Sequence, residues 1–359
     1  MPALYSIQRE QSFPSASQEW DRLAGKHPAY SIFLSHCWLS TWWKHFGRGK
    51  ELFLLYALQE SGQPAAIAPL IKMRTIIKGI PFFRRLSFVE GLETTYRDFI
   101  YELEAGEAAL GSFMEYLKLD GSWDVMELWN LRQDSPTAEI LSKFCDRLGL
   151  RCTVFSGIKS AYVGLPGSYD SYLSGLRRSV RQNLRRCQRR LEEIGATYHE
   201  NKSPDRNDIE RFINLHQQRW NQDGQPGVFG TEERREFYRD VLERLSLAGL
   251  HRLFEVRIGE RTVAAASRFL YGGVMHSFLC GWEKEYAKYA VCKLCVAYSV
   301  RRAIEEGFKE YDLSIGDYPH KRDLALGWRT NRNLIVFRTR AGQLKYNLIN
   351  TVLRMLGKV

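Results

Sequence analysis

The sequence predicts a mixed α/β fold made of two tandem copies of one unit. Three observations carry that expectation. The chain has 359 residues, more than one domain ordinarily needs. Strand-like and helix-like segments alternate along it rather than segregating. Finally, LFLLYALQESGQPAAIAPL (52–70) and LFEVRIGERTVAAASRFL (253–270) share one pattern: apolar strand, glycine turn, Ala-Ala pair and second strand.

The elements follow in order. Aromatics in HCWLSTWWKHF (36–46) predict a buried helix. Residues 53–58, 65–73 and 82–89 read as strands, the first two joined by a turn at Gly62-Gln63-Pro64. A helix over 105–117 and a strand over 125–131 come next. Ser135 is placed as the N-cap of a helix that runs through Leu148, with Pro136 at its first position and Gly149 as its stop. The segment SGIKSAYVGLPGSYDS (156–171) collects Gly, Ser and Pro and is read as the crossing between halves. Expected units are therefore 1–155 and 156–340, with a terminal helix in 341–359.

The second half opens with an arginine-rich helix (about 176–195), then helices over 205–220 and 231–248. Strands at 252–258, 262–271 and 275–280 precede a helix over 291–306, a short strand at 311–313 and the loop SIGDYPHK. Residues 333–338 read as a last strand. The closing helix, 343–357, sets Leu344, Leu348, Val352, Leu353 and Leu356 on or near one face.

Composition narrows the function classes. No apolar stretch is long enough for a membrane span, and the N-terminus lacks the apolar core of a secretory signal, so a cytoplasmic location is expected. Seven cysteines, with only Cys292 and Cys295 in a CxxC spacing, read as core thiols rather than a disulfide framework or a metal site. Walker A, HExxH, GxSxG and GxGxxG patterns are absent. Net charge is +11, and seven arginines lie between Arg177 and Arg190 with no acid among them. Leu173, Leu176, Val180, Leu184 and Leu191 give that segment a core-facing stripe. Arg178, Arg181, Arg185 and Arg189 share another side, and this side is either an anion clamp or a solvated face.

Two other constellations can carry chemistry. LHQQRW (215–220) sets His216, Arg219 and Trp220 on one side of a helix, offering a base, an anion holder and a pocket wall. EYDLSIGDYPHKRD (310–323) sets Asp312, Asp317, Tyr318, His320 and Lys321 just after a short strand, where ligands collect in α/β folds. Asp98, in TYRDFI, is similarly placed before apolar residues.

These segments occur in a characteristic order: SVRQNLRRCQRRLEEIG, LHQQRW, FYRDVLERL, RLFEVRIGERTVAAASRFLYGG, HSFLCGWEKEYAKY, RRAIEEGFKEYDLSIGD and Lys321. The ordered set resembles GNAT-superfamily acetyltransferases of the CelD/BcsL type, also called BioF2-like. The resemblance implies two tandem GNAT-like units, similar in architecture to the FemABX peptidyltransferases. It further implies acyl transfer from acetyl-CoA or another acyl-CoA to an amine acceptor, often in surface-polysaccharide biosynthesis, with no metal.

On that footing Lys321, His216, Asp98 and Asp312 are candidate catalytic residues. Arg219, Trp220, Asp317 and Tyr318 are candidates for substrate binding, and Arg181, Arg185, Cys292 and Lys293 for holding CoA. The sequence departs from the family at one helix start, where a Ser-Pro-Gly-like turn is replaced by Ala290-Val291-Cys292. Without glycine, close backbone approach to phosphate is hindered. His320 also replaces the aromatic that usually precedes the lysine. The alternatives are an aminoacyl-tRNA-dependent Fem-like transferase, with tRNA on the arginine helix, and a non-catalytic scaffold that binds an anionic membrane surface or a partner.

Overall fold

A computed structural model describes residues 5–29, 31–77, 80–89, 91 and 94–355. The chain divides into two compact units: Met1–Ile158 with Thr330–Val359, and Lys159–Arg329. Residues 330–359 thus belong with the first half of the chain.

The first unit contains β1 (Ser6–Glu10), α1 (Gln18–Lys26), α2 (His36–Phe46), β2 (Glu51–Leu58), β3 (Pro64–Ile77) and β4 (Ile80–Phe88). Next come β5 (Ile100–Tyr101), α3 (Leu103–Leu119), β6 (Val125–Leu131) and α4 (Thr137–Leu148). Strands β1 to β4 pair antiparallel in sequence order. Helix α3 then lets β6 join β4 in parallel, since parallel neighbours need a long crossover. The next strand along is the last of the chain, β13 (Gly327–Phe337), antiparallel to β6.

Local chemistry explains these elements. Ser35 caps α2 by accepting the Trp38 N–H at 3.2 Å, and Trp38, Leu39 and Trp42 face inward. Gly62 has φ +81° in the β2–β3 turn, a conformation glycine adopts without strain. At α4 the expected cap shifts by one residue. Pro136 occupies the N-cap position, while the Ser135 hydroxyl still accepts the Thr137 N–H. Gly149 closes α4 in the left-handed region, with φ +65°.

The strand β7 (Arg151–Gly164) corrects the sequence reading of 156–171 as a crossing loop: extended structure continues to Gly164. The second unit then holds α5 (Tyr169–Gly175), α6 (Arg178–Glu192), β8 (Ala196–Asn201), α7 (Arg206–Gln222), α8 (Glu232–Leu247) and β9 (His251–Ile258). It continues with β10 (Arg261–Tyr271), β11 (Val274–Trp282), α9 (Val291–Glu305), β12 (Glu310–Ile315) and α10 (Pro319–Leu324). The topology repeats that of the first unit. Strands β8 to β11 pair antiparallel in sequence order, α9 crosses over so that β12 joins β11 in parallel, and β7 closes antiparallel to β12. The two similar hairpin sequences are the second and third strands of each unit.

Two separate cores hold the units. In the first, Phe53, Phe88, Phe99, Phe113 and Met126 pack between sheet and helices. In the second, Val180, Leu184, Leu191, Phe254, Val256, Leu294 and Val300 do so. The final helix, α11 (Arg340–Met355), departs from its expected packing. Ile349 is buried and Tyr346 packs against Phe83 and Phe337, whereas Leu344 and Leu348 are 70% and 65% exposed. The side chains of Val352, Leu353 and Leu356 lie outside the described residues. Among the described residues no helix is long and apolar enough to cross a membrane.

Candidate active site

In the second unit, β11 and β12 pair only at Val274↔Glu310, Met275↔Tyr311 and His276↔Asp312. Beyond that point β11 stays with β10 and β12 stays with β7, so the two strands part. Ser277, Phe278, Leu279 and Cys280 are half-exposed although they lie mid-strand, whereas residues 274–276 are buried. The register also slips there: Ala266 faces Cys280, but Arg268 faces Ser277. Phe278 and Leu279 therefore oppose the single residue Ser267, a bulge that twists β11 at the mouth of the opening.

Helix α7 lies directly on β11. A Cβ at Gly281 would come 2.3 Å from the His216 backbone nitrogen, so only glycine permits this approach. His216 is buried, and its Nε2 accepts the Trp220 indole N–H at 3.1 Å. Burial and the nearby Arg219 charge lower its pKa to about 3. At neutral pH the ring is uncharged, with its basic nitrogen already engaged. Arg219 stacks on two indoles, its guanidinium carbon 4.8 Å from the Trp220 ring centre and 4.3 Å from that of Trp282.

Lys321 lies on α10 and is buried. Its ammonium donates to the Ser314 carbonyl at 3.0 Å and to the Ile315 carbonyl. Ser314 is left-handed, with φ +69°, and the Asp312 carboxylate accepts its N–H at 2.6 Å. Burial lowers the Lys321 pKa to about 8, against the opposing pull of Asp312. The second Asp312 oxygen lies 3.3 Å from His276 Nδ1, so this carboxylate is a buried brace behind the lysine. His320 stacks on Tyr318. Burial and the charges of Lys321, Lys293, Arg268 and Arg219 hold its pKa near 4. His320 is thus a neutral imidazole at pH 7.

Cys280 on β11, whose Sγ donates weakly to the Gly281 carbonyl at 3.9 Å, influences Cys292 in the first turn of α9. The contact with Cys280, together with burial, pushes the Cys292 thiol up. The Cys280 thiol, eased down by Cys292, is raised overall by Cys295 and burial. Both remain protonated at neutral pH. Ala290 takes the left-handed conformation at the start of α9, with φ +53° and no capping side chain. The chain makes this turn without glycine, at a cost of roughly 1 kcal/mol, and the first N–H groups of α9 have no intrahelical acceptor.

The other expected residues are tied elsewhere. The Lys293 ammonium meets Asp323 at 2.6 Å, joining α9 to α10. Arg181 Nη1 donates to the carbonyls of Leu173, Ser174 and Leu176, tying α6 to the end of α5. Arg185 is exposed, nearly opposite the buried Val180, Leu184, Cys187 and Leu191 of α6. Asp317 pairs with Arg322, and Tyr318 is 57% exposed. Asp98 belongs to the first unit, where its buried carboxylate accepts from the Thr137 hydroxyl at 2.6 Å and the Phe99 N–H at 2.8 Å. Sequence reasoning missed Arg268, Cys280 and Trp282 beside the parting strands, because strand positions carry no motif. The only hint was the polarity of Arg268 within an otherwise apolar strand. Among the described residues no group of His, Cys, Asp and Glu is arranged to hold a metal ion.

Residues 178–322 match the family model described as an acetyltransferase (GNAT) domain. The fold is GNAT-like. Three solved structures share it over nearly the full chain. One, described as FemX, has 13% identity, covers 96% of this chain and 99% of its own, and superposes with a TM-score of 0.67. L-PGS from Bacillus licheniformis has 14% identity, covers 98% and 99%, and gives 0.56. The C-terminal domain of a putative lysylphosphatidylglycerol synthetase from Agrobacterium fabrum has 12% identity, covers 94% and 95%, and gives 0.54. At such identities the likeness concerns the GNAT fold alone. A search among curated proteins found no match.

Proposed function

We propose that the protein transfers an acyl group from acyl-CoA to an amine, with the thioester lying in the opening between β11 and β12. The observation that carries this reading is the ladder that ends at His276↔Asp312, beyond which residues 277–280 are only partly buried in mid-strand. Backbone N–H groups fixed there suit a thioester carbonyl that becomes an oxyanion. The uncapped first turn of α9 suits the CoA pyrophosphate. The ordered motifs support placement with the CelD/BcsL (BioF2-like) type and an amine on a saccharide as acceptor.

The residues then divide the work. The Arg219–Trp220–Trp282 stack walls the acceptor side, with His216 fixing the Trp220 ring rather than taking a proton. A cluster of cations disfavours an ammonium acceptor, so the amine enters neutral. Its nitrogen attacks the thioester carbonyl, the C–N bond forms and the C–S bond breaks. The surplus amine proton leaves with the CoA thiolate as thiol. Lys321, oriented by two carbonyls and braced by Asp312, stabilises the negative charge that develops. The test is thiol release from acetyl-CoA against a panel of amino sugars and diamines. Turnover that is lost in Lys321→Met supports the reading, and full turnover in that variant overturns it.

A second donor, aminoacyl-tRNA, is favoured by one observation. Arg178, Arg185 and Arg186 are exposed on α6, and among the described residues no acid pairs with them. Aminoacyl-tRNA binding that weakens steeply with salt, and no affinity for CoA, would replace the first reading with this one.

A further inference from the structure

Arg268 is a buried cation without an anion. It lies on β10, fully buried, opposite Ser277, which is the first residue past the last β11–β12 pair. Its Nε donates to Ser299 Oγ at 3.1 Å and Nη1 donates to the Ser267 carbonyl at 2.7 Å. Nη2 has no hydrogen-bond partner among the described residues. Among the described residues no carboxylate lies within ion-pair distance of this guanidinium.

The surroundings offer polarity but no negative charge. Ser299 Oγ and the Tyr311 hydroxyl share a hydrogen bond of 2.8 Å, and the guanidinium carbon lies 5.9 Å from the Tyr311 ring centre. Burial raises the Tyr311 phenol, and the Cys280 and Cys292 thiols are raised as well, so all three are neutral at pH 7. An uncompensated buried charge is costly, and an apolar residue would fill the same place without that cost. A pocket for a plain alkyl acyl chain needs no cation at its base.

This inference rests on the placement of the donor between β11 and β12. We propose that Arg268 selects a donor whose acyl group ends in a carboxylate, that is, the CoA thioester of a dicarboxylic acid. The thioester carbonyl then meets β11 while the far carboxylate reaches the base of the opening and accepts the free Nη2 hydrogens. The transfer chemistry is unchanged.

The test is calorimetric titration of the intact protein with succinyl-CoA, butyryl-CoA and free CoA. The two thioesters match in length and differ in the terminal charge. Succinyl-CoA is expected to bind at least roughly tenfold tighter, the scale of one charge-assisted hydrogen bond. In Arg268→Met the two are expected to bind equally, and Arg268→Lys keeps part of the preference. Equal binding to the unaltered protein, or tighter binding of butyryl-CoA, overturns the proposal, as does a preference that survives in Arg268→Met. If Arg268→Met fails to fold, the comparison on the unaltered protein decides alone. Absence of binding by all three ligands overturns the donor placement and this proposal together.

Discussion

Gly281 and His216 touch backbone to backbone: a Cβ on Gly281 would lie 2.3 Å from the His216 nitrogen. This contact seats α7 on β11 and brings the Arg219–Trp220 wall to the strand that borders the opening. Gly281→Ala is expected to force the helix away, at a cost of about 1–3 kcal/mol. Thermal unfolding should show a lower Tm, and an unchanged Tm would mean that α7 yields freely.

Lys321 is the cation best placed for developing negative charge, because two carbonyls fix its ammonium and Asp312 braces the turn that presents them. Lys321→Met is expected to lower kcat by about 10²-fold or more, with the affinity for CoA nearly unchanged. A parallel loss of CoA affinity would instead assign Lys321 to donor binding.

The pH dependence of turnover follows from the same residue. With its pKa held near 8, Lys321 loses its proton as pH rises through 8, and kcat should fall there. Stability moves the other way. Between about 8 and 10.5 the unfolded chain binds more protons at this site than the folded one, so the Lys321 contribution improves as pH rises across that window. Lys321→Arg, if active, should move the alkaline limb of kcat upward, whereas a limb that stays near pH 8 in this variant belongs to another group.

Asp98 gives the first unit an acid-side signature. Burial pushes its pKa up to about 7 although the Thr137 hydroxyl and the Phe99 N–H donate to its carboxylate. The folded state therefore keeps a proton that the unfolded chain releases near pH 4. The stability tied to that proton is complete below about pH 4 and is lost as pH rises through 7. Asp98→Asn cannot ionise, so its stability relative to the unaltered protein should be greater at pH 8 than at pH 4 in denaturant titrations. An equal difference at both values would show that Asp98 is ionised in the fold.

The hairpin likeness between 52–70 and 253–270 carried the duplication, because strand, turn and strand form one contiguous stretch whose apolar pattern survives divergence. The 156–164 stretch was hidden because its glycines and serines imitate a linker, although β12 supplies it with a strand partner. The candidate site was legible where residues lie on short local motifs, as with Lys321 and Arg219. Arg268 and Cys280 were not, because pairing register and the parting of β11 from β12 place them. Arg181 shows a contact that the basic run does not reveal: its Nη1 meets three nearby carbonyls at the end of α5. On α11, periodicity pointed to Leu344 and Leu348, whereas Tyr346 and Ile349 face the apolar patch formed by Phe83, Val125 and Phe337.

Amide hydrogen exchange with and without acetyl-CoA tests the donor placement most directly. Slowed exchange is expected at residues 277–280 of β11 and in the first turn of α9, at concentrations where calorimetry shows binding. Binding with no change at either segment, or with protection confined to the first unit, would contradict that placement.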